Sequence, residues 1–291
     1  MMRRCLALLL FLTLLLPAAT AEQPATPTSL PMDFSAAPAP KAELFTEDGY
    51  QDDSITVSMS REDVGEARFN IARVKIRDAS QLRIGLSADF GKKKTNRIST
   101  IAKNQNAVVA IGGDYYLNEE GGYVVRMGET YRKKPLKSRD MLVTDDKGDF
   151  HILKHSDPAQ LKALLAGESK IINVFNFGPA LVIDGALQEM PAKYNYNIHG
   201  KEPRCAIGQL GPLEYLLVVV DGRGAAGSDG CTVAELARFM ADKGCTQAYN
   251  LDGGNSALMV FGQNNYSQKT VKAERSVSDI IYFATSIGAE D

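Results

Sequence analysis

Asp221-Gly-Arg-Gly-Ala-Ala-Gly-Ser-Asp-Gly-Cys231 and Gln247-Ala-Tyr-Asn-Leu-Asp-Gly-Gly-Asn-Ser256, with residues 232–244 between them, decide how this chain is read. The apolar run Tyr215-Leu-Leu-Val-Val-Val220 that leads into the first segment has the length and β-branching of a buried strand. Thr232, followed three residues later by Glu235, writes a capping box, and Gly244 supplies the stop. Val233, Leu236, Ala237 and Met240 fall on one face of the helix so bounded. The order is therefore strand, glycine-rich loop, helix, strand, second glycine-rich loop. Each strand delivers an aspartate, Asp221 or Asp252, into a loop with few side chains to block access. Carboxylates at strand ends beside bare backbone are a common way of building a site in proteins that mix helices and strands.

Gly222-Arg-Gly-Ala-Ala-Gly227 matches the spacing of a dinucleotide-binding fingerprint, but its setting does not. That fingerprint places a helix N-terminus at the glycines to meet the pyrophosphate, whereas here the helix starts later, at Thr232. The 39 residues after Asp252 are also too few for the remaining strands of a nucleotide fold.

Upstream, Ser54-Ile-Thr-Val-Ser-Met59, Phe69-Asn-Ile-Ala-Arg-Val-Lys-Ile76 and Leu82-Arg-Ile-Gly-Leu86 alternate with the period of strands. Residues 98–104 suit a short helix, and Ala107-Val-Val-Ala-Ile111 is a compact strand running into Gly112-Gly-Asp114. Residues 123–131 read as a hairpin, and residues 141–144 pair with 150–153 across a turn. Residues 157–167 form a helix with Leu161, Leu164 and Leu165 on one face. Phe177-Gly-Pro-Ala-Leu-Val-Ile-Asp-Gly185 is a strand between turns, residues 194–201 a polar, aromatic loop with the composition of a mobile one, and residues 203–208 and 214–220 adjacent strands. Residues 279–284 close the domain. Many strands and few helices define an α+β class: a single mixed-sheet domain with glycine-rich loops at its strand ends. The basic run Arg132-Lys-Lys-Pro-Leu-Lys-Ser-Arg139 is open to two readings, a solvated face or an attractor of anionic substrate.

Residues 1–21 read as a signal peptide: Arg3 and Arg4, an apolar core over residues 6–16, and the small-residue site Ala19-Thr-Ala21. Such a core is too short to span a bilayer, which needs about 20 apolar residues. Residues 22–40, rich in Pro and Ala, read as a spacer, leaving residues 41–291 as the domain. The expectation is an exported chain with no membrane span after cleavage. Its formal charge of −2 implies no affinity for nucleic acid. Cys205, Cys231 and Cys245 are an odd, widely spaced set, and a bridge from Cys231 to Cys245 would have to run the length of the helix, so buried free thiols are expected. His151, His155 and His199 show no metal-ligand spacing.

Five segments in order, Ala110-Ile-Gly-Gly-Asp-Tyr-Tyr116, residues 177–185, Arg204-Cys-Ala-Ile-Gly208, Val218-Val-Val-Asp-Gly-Arg223 and residues 248–256, resemble the motifs of the phosphodiester glycosidase family. The family pattern carries Asn-Gly where this chain has Gly112-Gly113, and a third glycine where it has Asn255. The resemblance implies hydrolysis of a sugar-1-phosphodiester at the C1–oxygen bond, in an exported glycan or exopolysaccharide, with no resident cofactor. For such chemistry Asp252, Asp221 and Asp114 are the candidate carboxylates, with Asp252 or Asp221 activating water or stabilising an oxocarbenium-like centre. Arg204 and Arg223 are the candidate phosphate ligands, beside Gly113, Gly178, Asn250, Gly253, Gly254, Asn255 and Ser256. Two rivals share these residues: a non-catalytic polysaccharide-binding protein, and a divalent cation held by the three aspartates.

Overall fold

The computed structural model describes residues 32, 35–90, 92–270 and 273–288. The signal-peptide reading and most of the spacer lie outside them. Among the described residues there are three α-helices and three principal sheets, and every strand pairing is antiparallel. The largest sheet has eight strands in the spatial order Gly49–Gln51, Ile55–Val64, Ala67–Ile76, Glu214–Val220, Arg204–Gly211, Gln247–Leu251, Ala180–Ile183 and Ala186–Leu187. A second sheet runs Phe150–Leu153, Met141–Asp145, Ile171–Phe175, Gly122–Arg126 and Glu129–Lys134. The third runs Asn264–Asn265, Met259–Phe261, Val109–Gly112, Asp279–Phe283 and Leu82–Leu86.

Alternation along the strands builds these layers. In Glu214–Val220, Tyr215, Leu217 and Val219 face the central core, while Leu216, Val218 and Val220 face the helix Val233–Asp242. The central core is shared with Leu82, Ile84, Val109, Ile111, Leu142, Phe175 and Ile281 from the two smaller sheets, so these close over the inner face of the large one. The helices Ile98–Asn104 and Pro158–Leu165 cover the outer faces of the smaller sheets. Burying each large aliphatic chain contributes about 1.5–3 kcal/mol, so the three-layer packing supplies most of the stability.

The helix after the first glycine-rich loop forms as the sequence predicts. Thr232 accepts from the Glu235 N–H at 3.1 Å, and Glu235 accepts from the Thr232 N–H at 2.7 Å. Phe239 adds a contact that the pattern did not name, stacking on Phe69 with ring centroids 4.0 Å apart. One local expectation is corrected. Leu165 leaves the apolar face of its helix and is 52% exposed, because the helix ends there and Gly167 turns the chain away. Residues 194–201 are a loop, as expected, anchored where Ile198 is buried and accepts from the Val233 N–H at 2.9 Å. Cys205, Cys231 and Cys245 are all buried and unbridged.

Candidate active site

The strands that deliver Asp221 and Asp252 are not neighbours, because Arg204–Gly211 runs between them, antiparallel to both. Arg204 pairs with Val220 and Cys205 with Leu251, so the N-terminal end of the middle strand lies between the two aspartate-bearing ends. Side-chain alternation then separates the groups. Arg204 and Asn250 belong to the helix-facing side of the sheet, and Asp221 continues the inner side on which Val219 lies.

Asp221 is buried and accepts a hydrogen bond from the Gln268 N–H at 2.9 Å through one oxygen, while the other has no hydrogen-bond partner among the described residues. Burial raises its pKa, and Asn70, the Gln268 N–H and Arg68 oppose the rise. It does not pair with Arg223. That guanidinium binds Glu202 at 2.7 Å and the Asn255 side-chain oxygen at 2.7 Å, and lies across Gly254. Thr270 also donates to the Asn255 oxygen, at 3.0 Å, so Asn255 ties the second glycine-rich loop to two other segments.

Arg204 is buried and is engaged with main chain. Its Nε donates to the Cys231 carbonyl at 2.9 Å, and Nη2 to the carbonyls of Asn197 at 2.8 Å and Gly200 at 2.6 Å. Through these bonds it pins the 194–201 segment to the strand end. From that segment Tyr196 stacks on Phe177, centroids 4.2 Å apart, and Tyr194 donates to the Phe177 carbonyl at 2.8 Å. Gly178 has φ +67°, and a Cβ there would come 2.3 Å from the Tyr194 hydroxyl, so only glycine lets the tyrosine approach. Asn250 donates to the Gly178 carbonyl at 2.7 Å, leaving its own buried oxygen without a partner.

Among the described residues, a dense group of buried charges forms where the second sheet meets the third, around Asp114 and two residues the sequence did not single out. Arg126, fully buried, donates through Nε to Asp279 at 2.8 Å and through Nη2 to Asp114 at 3.4 Å. Its Nη1 bonds the Val125 and Val174 carbonyls, and its guanidinium stands 4.4 Å from the centre of the Phe175 ring. Asp279 also accepts from the Asp114 N–H at 2.7 Å, and Asp114 from the N–H groups of Tyr115 at 2.7 Å and Asn176 at 2.9 Å. Gly113 makes this clustering possible, since a Cβ there would fall 2.4 Å from an Asp279 oxygen.

Asp252 borders the cluster. Its N–H donates to the Gly113 carbonyl at 3.2 Å, which fixes the second glycine-rich loop against the first motif. Desolvation pushes its carboxyl up to about 6; the Ser256 side chain and Arg275 pull it down, and Asp114 and Asp279 push it up. Asp279 is likewise held at about 6, by burial first and by the opposing pull of Arg126 second. The Gly254 N–H donates to the Pro203 carbonyl at 2.8 Å, and a Cβ on Gly253 would lie 2.7 Å from the same oxygen. The structure thus brings together Asp252, Asp114, Gly113 and Ser256, with Arg223, Asn255, Gly253 and Gly254 along the adjoining loop. Arg204, Asn250 and Gly178 form a second group around the pinned segment, and Asp221 stands apart from both.

Arg126 and Asp279 were legible in principle. A lone arginine closing the alternating run Tyr123-Val-Val-Arg126, and an aspartate opening the apolar run 279–284, are charges on core strands. Buried charges persist only where they are paired.

The chain is thus a layered α+β domain that gathers carboxylates and a buried guanidinium at its strand ends. Residues 105–284 match the phosphodiester glycosidase family, and the chain belongs to it. The SPbeta prophage-derived uncharacterized protein YomE of Bacillus subtilis (strain 168) is 25% identical over 200 residues, covering 67% of this chain and 30% of that relative, so this chain spans under a third of its length. The zebrafish N-acetylglucosamine-1-phosphodiester alpha-N-acetylglucosaminidase catalytic domain, solved auto-inhibited by its pro-peptide, shares the fold with a TM-score of 0.61 at 17% identity, over 85% of this chain and 86% of that one. A hypothetical protein from Synechocystis has the same TM-score of 0.61 at 17% identity, over 80% of this chain and 62% of its own.

Proposed function

We propose that this domain hydrolyses a sugar-1-phosphodiester, with Asp252 as the carboxylate that takes a proton from the attacking water. The observation that carries the reading is the position of Asp252: it ends a strand, borders the Arg126 charge cluster, and is held by burial near a pKa of about 6. A group titrating there is a competent base at neutral pH. Water oxygen bonds to C1 as the C1–O bond to phosphorus breaks, the water proton passes to Asp252, and the phosphomonoester leaves as an anion without needing a proton. Family membership and the likeness of fold to a phosphodiester α-N-acetylglucosaminidase support the same substrate class.

The other residues divide by access. Asp114 is engaged by Arg126 and two main-chain N–H groups, and in this reading it sets the field around Asp252. Arg223, with a side chain 43% exposed and its Nη2 without a hydrogen bond among the described residues, and the exposed Arg275 beside Asp252 are the cations for the phosphate. Donors that orient phosphate act on the departing charge. A resident cation is not part of the proposal, because Asp114 and Asp279 already face a guanidinium and Asp221 points elsewhere. Residues 1–21 support export of the chain to the compartment where such glycans lie.

The experiment is turnover of a panel of sugar-1-phosphodiesters. Asp252→Asn should lower kcat by roughly 10²- to 10⁴-fold, the usual contribution of a positioned base. Arg223→Ala should raise KM for phosphodiesters and leave simple aryl glycosides untouched. Wild-type turnover by a folded Asp252→Asn chain would remove the base, and equal losses on both substrate types would remove the phosphate contact.

A further inference from the structure

The basic run that the sequence left open has a definite setting in the fold. It begins on Glu129–Lys134, an edge strand of the second sheet, which pairs with the strand carrying Arg126. A register shift between Val124 and Val125 inserts Tyr131 as an extra residue, and Tyr131 stacks on Phe90 with centroids 4.3 Å apart. Phe90 stacks in turn on Tyr116 at 5.3 Å, and the Arg126 guanidinium lies 5.3 Å from the centre of the Tyr116 ring. Three rings thus run as a ladder from the sheet edge to the charge cluster beside Asp252.

Cations flank this ladder in the chain. The stack sets Phe90 against Tyr131 of the edge strand, and Lys92, Lys93 and Lys94, which follow Phe90 closely in the chain, are all exposed. Lys134 lies opposite Gly122, on the same face as Arg132 opposite Val124, and Lys137 follows in the next loop. Lys92 pairs with Asp89, but Lys93, Lys94, Lys134 and Lys137 have no ion pair among the described residues. Asp89, Glu120 and Glu129 are exposed acids nearby in the chain; Asp89 is bonded to Lys92 and also acts on Lys94, and Glu129 is bonded to the Tyr131 hydroxyl. Arg132 uses both terminal nitrogens on the carbonyls of Tyr116 and Glu119, leaving its buried Nε–H without an acceptor. In a chain whose formal charge is −2, unpaired cations concentrated beside aromatic faces are a local feature that the bulk composition does not explain.

We propose that this edge is an extended subsite for an anionic glycan polymer, with the lysines facing its phosphates and the half-buried rings of Phe90 and Tyr131 facing its sugars. This deepens the hydrolytic reading and rests on it: the polymer would run along the ladder towards Asp252 and present one phosphodiester there. A polyanion gains from several weak contacts at once, and these are screened by salt.

The test measures binding in an Asp252→Asn chain, so it is read without turnover and stands apart from the catalytic claim. The probes are a fluorescent poly(glycosyl phosphate), a neutral dextran of equal length and a single-stranded DNA oligonucleotide of equal charge. The glycosyl phosphate should bind, and binding should weaken as salt rises. Lys93→Gln, Lys94→Gln and Lys134→Gln together should weaken it on the order of tenfold, with an unchanged melting temperature. The three corresponding Lys→Arg changes should restore it, and Lys162→Gln, on the helix packed against the opposite face of the sheet, should do nothing. Unaltered affinity in the triple glutamine chain would overturn the proposal. So would equal affinity for dextran, or for the oligonucleotide, which would mark a patch for polyanions at large.

Discussion

At the scale of single residues, the site is governed by how few water contacts its carboxylates keep. Asp252 has an ordinary value of 3.8 and a folded value of about 6, so the fold favours its protonated form. The sign follows from linkage: the stability this form contributes is complete below about pH 4, the unfolded value, and is lost as pH rises through 6. Asp252→Asn cannot ionise and escapes that loss. It should therefore match the parent in urea unfolding at pH 4 and exceed it by on the order of 2 kcal/mol at pH 8, while turning over far more slowly. Equal stability at pH 8 would mean that the carboxylate is well solvated in the folded protein. The parent's kcat should instead climb as pH rises through about 6, because the base works ionised. The sequence showed Asp252 and Asp221 as equivalent, each an aspartate after an apolar strand. Their tertiary neighbours distinguish them: Asp221 meets Arg68 and Gln268, whereas Asp252 meets Gly113. Local pattern cannot report that difference, since it depends on which distant segments the fold brings beside each.

Among the elements, those with strong local chemistry were readable and those relying on distant partners were not. The helix Val233–Asp242 declares itself through its capping box and apolar face, and Ile98–Asn104 matches its predicted span. The strand Ile171–Phe175 went unread because Asn173 interrupts its apolar run. In the fold that asparagine is satisfied, accepting from the Met127 N–H at 2.9 Å and donating to Thr144 at 3.0 Å. The segment 194–201 is the loop its polar composition suggested, but its anchor was not readable. Arg204, offered as a phosphate ligand, reaches three carbonyls and ties the loop to the strand end. Lys at that position keeps the charge and cannot reproduce the forked geometry. Arg204→Lys should therefore cost about 2 kcal/mol in unfolding and admit protease cleavage between residues 194 and 201. A variant that resists protease and loses only phosphate affinity would return Arg204 to the substrate.

For the molecule as a whole, the α+β class could be read, whereas the order of strands could not. Ala67–Ile76 pairs with Glu214–Val220 across nearly half the chain, and no pattern within either strand names the other. The same limit applies to where the domain starts. Composition places the spacer up to residue 40, yet its last part packs against the folded body. Ala37 is buried beside the helix Ile98–Asn104, Asn106 donates to its carbonyl at 2.8 Å, and Arg83 reaches the carbonyl of Ser35. Ala39 and Pro40 go on to wall a cavity of about 670 Å³ that also holds Phe45, Arg61 and Tyr266. Removing this stretch would expose the apolar side of the helix and take away the carbonyls of Ser35 and Ala37 that Arg83 and Asn106 reach. Each lost bond costs about 1 kcal/mol, with the uncovered apolar surface added to it. A chain starting at Lys41 should consequently melt several degrees below one starting at Met32, by about 2–4 °C per kcal/mol for a domain of this size. Coincident melting curves would show that the stretch rests on the domain without stabilising it, and the boundary at residue 41 would then hold.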